Sequence, residues 1–593
     1  QDGVAPKSFQ ELWEGFDPRA EELETEILRE WEEDGVVLRV LRYRVGVFKG
    51  RKAMMAGIYG FPKGGTNFPG LLQIHGGGQY ADYRAVLTNA KRGYATLSIA
   101  WAGRINAPGY RVNPDVVKLF WEGKTEDPDY KLTTDWGALD AYHAPMRSPG
   151  SSFAKTEPSE WSLDAVGSPR NISWFICTLG ARRGLTFLER QPEVDPERLG
   201  VYGHSMGGKL TVLTAGSDPR VKAAAPSCGG VSDRNTGDPL YDRTIADDVY
   251  LSNISCPIIF LSPSNDFHGR IDDLQKALDE IKAPAWRTAC SPHGSHQDSA
   301  EFQVAGLLWF DQILKRAFQF PETPATMLAL ETPANTPGFI VQPDVSRPVL
   351  SVEMYYTQHG QPEREKNDRD NTKARFWRYA PAERDGESWT AALPLTTTEA
   401  PLWVYANVRY GLEEPVTGAG YYYTIYTATE YTISSKMHII TPEDLRAAPV
   451  VATLEPTRMI ERFKGDWGKE WFTYSPEKWP RRTHKVYDAQ WRAPANAKLA
   501  LGVRSEMSNK LVVGIDNYAA VVEVEGGGAW QEITLSATDF KDGDGNPMPG
   551  WEGIRELRLS DKETLKGDEK RLVVGAEWTG SAPEFRNLRW VQE

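Results

Sequence analysis

Residues 203–208, Gly-His-Ser-Met-Gly-Gly, fit Gly-x-Ser-x-Gly, the pattern of a nucleophile elbow. A strand that turns sharply into a helix can hold a serine hydroxyl clear of the sheet. Glycines two residues before and after remove the side chains that would clash there. The flanks agree, with apolar LGVY before the motif and KLTVLTAG after it. A second group, His75-Gly76-Gly77-Gly78-Gln79, follows the apolar run LLQI. Its small residues would let backbone N–H groups approach a developing oxyanion, so Gly77, Gly78 and Gln79 are expected to form one wall of an oxyanion hole. The N–H of Met206, at the positive end of the next helix, is expected to form the other. His75 is expected to bond backbone.

A serine of this kind needs a base, and the base needs an acid; with an elbow they follow in the order serine, acid, histidine. Of the nine histidines, His75 and His143 precede Ser205, His204 lies inside the elbow, and His359, His438 and His484 fall far downstream. His268, His293 and His296 remain. The loop SPHGSHQ, residues 291–297, stands before the last helical pattern, so His296 is the expected base, with His293 as the alternative. The run PIIFLSPSND ends at Asp266, the expected acid. Ser205 would attack, His296 would take and return the proton, and Asp266 would fix the imidazole. This chemistry requires no metal, and no cofactor motif is found.

These groups must be positioned by a large fold. At roughly 150 residues per domain, 593 residues suggest three or four domains. No apolar run approaches the roughly 18 to 20 residues of a membrane-spanning helix. The net charge of −13, without a dense Lys/Arg run, argues against a nucleic-acid footprint. Cys177, Cys228, Cys256 and Cys290 are far apart and read as buried thiols. The first residue, Gln1, suggests removal of a signal peptide, so a secreted or periplasmic protein is expected. The oligomeric state is not legible.

Residues 8–33 carry apolar residues at helical spacing and predict a helix. Apolar runs from 36 to 101 and from 198 to 292, alternating with helical patterns, predict an α/β domain with a mostly parallel, doubly wound sheet, ending near residue 320. Proline-rich residues 103–165 interrupt it as a lid-like insertion, whose Trp121, Trp136 and Trp161 are candidate substrate contacts; Trp101, at a strand end, is a fourth. Residues 321–338 read as linker. Two all-β domains are expected beyond it, a sandwich over 339–450 and a jelly-roll-like domain over 451–593. Eleven of the 20 tryptophans lie after residue 350. There, Trp403, Tyr422, Tyr426 and Trp471 are either sugar-stacking residues or core, and the β-domains either bind glycan or pack on the hydrolase and shape its cleft. The turn Asp542-Gly543-Asp544-Gly545-Asn546 begins like a calcium loop but has Pro547 where glycine is needed; a polar hairpin turn is the simpler reading.

The stretch ARRGLTFLERQPEVDPERLGVYGHSMGGKLTVLTAGSDPRVKAAAPSCGG (181–230), with the HGGGQ turn and the ND…SPHGSHQ ending, resembles the acetylxylan-esterase-like and dienelactone-hydrolase-like branch of the α/β-hydrolase superfamily. The resemblance covers about residues 35–320. It implies carboxylic-ester hydrolysis, often removal of acetyl groups from a carbohydrate substrate. WQEITLSATDF and the closing NLRW loosely resemble a carbohydrate-binding jelly-roll. A serine exopeptidase of the X-Pro or acyl-aminopeptidase type is the rival enzyme, although its elbow usually has Tyr where Met206 stands. An inactive glycan-binding protein is the rival outside enzymes.

Overall fold

The computed structural model describes residues 3–48, 51–111, 156–158, 163–360 and 372–592. Its start corrects one expectation. Only α1 (Phe9–Trp13) is helical in residues 8–33, and Glu26–Glu33 is an edge strand, β1. Alternating Glu and Arg residues pair it antiparallel with β2 (Val36–Phe48), through Arg39–Glu30 at 2.6 Å and Arg42–Glu26 at 2.5 Å. Cross-strand charge pairs thus override local helical spacing, and they make an edge unsuited to pairing with another chain.

The sheet continues through β3 (Arg51–Pro62), β4 (Phe68–Ile74), β5 (Ala95–Ile99), β6 (Val194–His204), β7 (Val221–Ser227), β8 (Ile258–Leu261) and β9 (Trp286–Ala289). Its order is β1-β2-β3-β5-β4-β6-β7-β8-β9. Pairing is antiparallel as far as β3–β5 and parallel from β5 to β9. Every residue of β5 and β8 is buried, as expected of parallel strands covered on both faces. Helix α2 (Tyr83–Lys91) follows the Gly-rich turn. Helix α3 (Ser173–Glu189) is buried almost all round, its Arg183 bonded to the carbonyls of Arg44 and Pro18. Helices α4 (Met206–Ser217), α5 (Ile271–Glu280) and α6 (Ala300–Phe310) follow β6, β8 and β9. The four cysteines are buried and none is in a disulfide.

The segment read as linker also differs from expectation. Ala325–Ala329 is β10, paired antiparallel with β11 (Gly338–Gln342). The second region holds β12 (Val349–Thr357), β13 (Ser388–Ala392), β14 (Leu402–Ala419) and β15 (Ile425–Ser434), in two antiparallel sheets completed by shorter strands. Its core is continuous with that of the α/β sheet: Phe302, Trp309 and Phe310 of α6 share one apolar cluster with Phe339, Met354, Val408, Tyr431 and Ile433. A fragment ending at residue 320 would expose this face to water. It is therefore expected to be insoluble or inactive, as soluble yield and ester turnover would show. A soluble, active fragment would contradict the shared core.

The last region has two antiparallel four-stranded sheets around a core that includes Leu499, Val513, Leu557 and Trp590. The Asp542 carboxylate accepts the N–H groups of Asp544 and Asn546, each at 2.9 Å, and the Asn546 amide at 3.2 Å. Those contacts describe a polar turn closed on itself.

Candidate active site

Ser205 sits between β6 and α4 with φ of 59° and ψ of −119°, a strained left-handed backbone characteristic of a functional turn. A Cβ at Gly203 would overlap the carbonyl oxygens of Ile74 and Gly207, one at Gly207 those of Ile74 and His75, and one at Gly208 that of Ser227. Hence three glycines surround the serine. Its N–H donates to the Ser227 carbonyl at 2.8 Å. Its hydroxyl makes no cap bond to α4 and turns to the histidine instead. One turn into α4, buried Lys209 pairs with Asp247 at 2.5 Å and Asp233 at 2.9 Å, which pins the helix behind the nucleophile.

His296 Nε2 lies 2.7 Å from Ser205 Oγ, and His296 Nδ1 lies 2.6 Å from Asp266 Oδ2. Burial alone would raise the Asp266 carboxyl. The adjacent His296 and the backbone N–H groups it accepts outweigh that and hold it at about 2. It is therefore a carboxylate and only accepts, so Nδ1 of His296 carries the proton and Nε2 accepts from Ser205. Asp266 Oδ1 also accepts from the N–H groups of His268, at 2.7 Å, and Gly269. His293 is elsewhere: it is buried at φ 66°, and its Nε2 donates to the Lys469 carbonyl at 2.7 Å. Burial lowers it to about 3, so it stays neutral. Of the two histidines left by sequence, the geometry brings only His296 to Ser205.

A cavity of about 280 Å³ opens beside Ser205, lined by residues 76–80, His204, His296, Tyr422 and Tyr423. Gly77 and Gly78 line this wall, and a Cβ at Gly77 would collide with the Met206 thioether. Gln79 has its donors engaged away from an oxyanion. Its N–H points to the Gly76 carbonyl at 3.2 Å, its Oε1 accepts the Gly76 N–H at 2.7 Å, and its Nε2 donates to the Tyr421 carbonyl at 2.8 Å. It clamps the turn. Trp101 is also not a substrate contact: fully buried, it stacks on His75 and donates to the His75 carbonyl at 2.8 Å. Trp121, Trp136 and Trp161 lie outside the described residues. Trp403 and Trp471 are buried core.

Sequence reasoning allowed that the β-regions pack on the hydrolase and shape its cleft, but it missed which of their residues meet the acid, the base and His204. Asn265, beside the acid, accepts from Trp377 Nε1 and donates to the Arg375 carbonyl, both at 2.8 Å. Ser295, beside the base, donates its N–H to Tyr474 Oη at 3.0 Å. The loop at residues 420–424, between β14 and β15, brings Tyr421 face to face with His204, centroids 4.4 Å apart. Three consecutive tyrosines at a hairpin tip, where polar turn residues are usual, were the one visible signal.

Residues 179–289 match the model of the dienelactone hydrolase family. This stretch is similar to a dienelactone hydrolase domain. The matched stretch carries Ser205 and Asp266, while the Gly-rich turn and His296 lie on either side of it. Among curated proteins, thiohydrolase apmlB of Arthrinium phaeospermum is 41% identical over 44 residues, 7% of this chain. The chain spans 14% of the length of that relative. Among solved structures, an acetyl xylan esterase from Paenibacillus sp. R4 is 16% identical, covering 53% of this chain and 97% of its own, with a TM-score of 0.39. Acetyl xylan esterase 1 from Thermoanaerobacterium sp. JW/SL YS485 is 16% identical over 53% of this chain and 95% of its own, with a TM-score of 0.36.

Cys228, Asp266 and His296 offer ligand atoms within 4.8 Å of one another. A metal there would have to displace the contacts of His296 with Ser205 and Asp266. The arrangement suits proton transfer better than metal binding.

Asp298, two residues after the base, is buried and accepts from Ser291 Oγ. Burial pushes its carboxyl up to about 8. The folded state thus holds a proton that the unfolded chain releases from about pH 4 upward, so stability falls as pH rises toward 8, by at most about 1.4 kcal/mol per pH unit. Asp298→Asn is expected to raise the melting temperature at pH 8 and to change it little near pH 4. Equal shifts at both pH values would contradict this.

Proposed function

We propose that the chain is a secreted serine carboxylic-ester hydrolase that removes acetyl or similarly small acyl groups from a carbohydrate. The observation that carries this reading is the hydrogen-bonded line from Ser205 through His296 to the Asp266 carboxylate, with the serine held at positive φ. Ser205 Oγ attacks the ester carbonyl carbon as its proton passes to His296 Nε2. The carbonyl oxygen becomes an oxyanion, met by the backbone N–H groups of Gly77 or Gly78 and of Met206 at the start of α4. The tetrahedral intermediate collapses, and the carbon–oxygen bond to the alcohol breaks. The alcohol leaves with the proton from His296, and the acyl group stays on Ser205. Water then adds, giving its proton to His296. The acid departs and the proton returns to Ser205.

His204, beside this line, is kept neutral by burial, well below its ordinary range. It therefore places no competing cation next to the imidazolium that forms on His296. The cavity of about 280 Å³ suits a small acyl group and one ring better than a long acyl chain.

The test is hydrolysis of acetylated polysaccharides, p-nitrophenyl acetate and a peptide p-nitroanilide by the purified chain. Acetate release from the polysaccharides with an inert anilide is the expected result. Cleavage of the anilide alone would overturn the ester reading.

A further inference from the structure

Part of the cavity wall, beside the Gly-rich turn, comes from the second region of the chain, at Tyr422 and Tyr423. Both neighbours of Tyr422 are anchored. Tyr421 stacks on His204 with an interplanar angle of 6°, its N–H donates to Gln303 Oε1 at 3.0 Å, and its carbonyl accepts from Gln79. Tyr423 is buried at φ 61° and its hydroxyl donates to the Tyr80 carbonyl at 2.8 Å. Tyr422, between them, is 47% exposed, and its ring lines the cavity with Ser205 and His296. The ring stands edge-on to His204, centroids 5.6 Å apart, and His204 lies 4.9 Å from His296.

An aromatic ring exposed on a doubly anchored turn offers an apolar face at small entropic cost. Its place beside the histidines puts it on the side of the serine where the alcohol departs, because His296 is the group that protonates the alcohol. A sugar ring presents a patch of C–H groups that covers such a face, and a short alkyl alcohol covers much less of it.

We propose that Tyr422, supplied by the β-region, is the specificity-determining residue for the alcohol side of the ester, its ring packing against the sugar ring that bears the acyl group. The inference rests on the ester-hydrolase reading and adds the part of the substrate that is read. It also gives the β-region a place in substrate recognition, not only in support.

The experiment compares kcat and KM of the full chain and its Tyr422→Ala and Tyr422→Phe variants on a fully acetylated methyl xyloside and on ethyl acetate. In Tyr422→Ala the ratio of kcat/KM for the xyloside to that for ethyl acetate is expected to fall about tenfold, mostly through KM; tenfold corresponds to about 1.4 kcal/mol. Tyr422→Phe is expected to keep the ratio within about threefold, since the face is retained. A ratio unchanged in Tyr422→Ala, whatever the absolute rates, overturns the inference and leaves the esterase standing. A ratio lost equally in Tyr422→Phe overturns it too, by assigning the effect to the hydroxyl, which interacts with Gln297. A wild-type protein that hydrolyses neither ester overturns the esterase reading, and this inference with it.

Discussion

Ser205→Ala is expected to lower kcat for ester hydrolysis on the order of 10⁶-fold, the loss found when the nucleophile of such a unit is removed. The size follows from the geometry. His296 Nε2 has the serine hydroxyl at 2.7 Å to deprotonate, and alanine leaves nothing there to form the acyl-enzyme. The Gly-rich turn and the Met206 N–H would still bind a polarised carbonyl, so residual turnover over water is expected. Folding should be spared. The Ser205 side chain makes no cap bond, and alanine at φ 59° has the same Cβ to accommodate. An unchanged melting temperature beside the lost turnover is the paired result. A variant that unfolds would make the lost rate uninformative, and one that retains more than about a thousandth of wild-type kcat would contradict the assignment.

Asp266→Asn is expected to lower kcat on the order of 10⁴-fold at neutral pH. The carboxylate accepts from His296 Nδ1 at 2.6 Å and sits fully buried. An amide can present a donor there instead, which favours the proton on Nε2 and removes the acceptor Ser205 needs. Asparagine Oδ1 can still accept from His268 and Gly269, so the fold should survive. The pH dependence has a definite sign. A carboxyl held at about 2 in the fold, against an ordinary 3.8, contributes stability that is present above about pH 4 and lost as pH falls toward 2. The wild-type melting temperature should drop through that window, and the Asn variant should lose this part of the drop. The acid limb of activity should not reflect Asp266 until pH is near 2. Identical acid denaturation of the two proteins would contradict the pairing.

Much of the site was legible because its parts are local. The elbow is written in six residues, since backbone carbonyls around Ser205 leave room only for glycine. The parallel strands are legible as short apolar runs, and the strands of the last region as alternating ones. What could not be read depends on residues far apart. Residues 26–33 look helical until Arg39 and Arg42 are seen across the strand. Ala325–Ala329 looks like linker because its strand character comes from pairing with β11. Gln79 sits where an oxyanion donor is expected, yet its amide is spent on Gly76 and on a carbonyl 342 residues downstream. Trp101, at the right end of its strand, is turned inward onto His75. The tyrosines at 421–423 reach the site because α6, with α2 and β9, holds the β-region against the sheet.

The central claim is that Ser205 is a nucleophile activated by His296. Its most direct test is mass spectrometry of the intact and digested protein after exposure to a fluorophosphonate, for wild type, Ser205→Ala and His296→Ala. One covalent adduct on the peptide carrying Ser205, absent in Ser205→Ala and strongly slowed in His296→Ala, is the predicted result. No adduct on the wild-type protein, or an adduct on another residue that survives in Ser205→Ala, would contradict it.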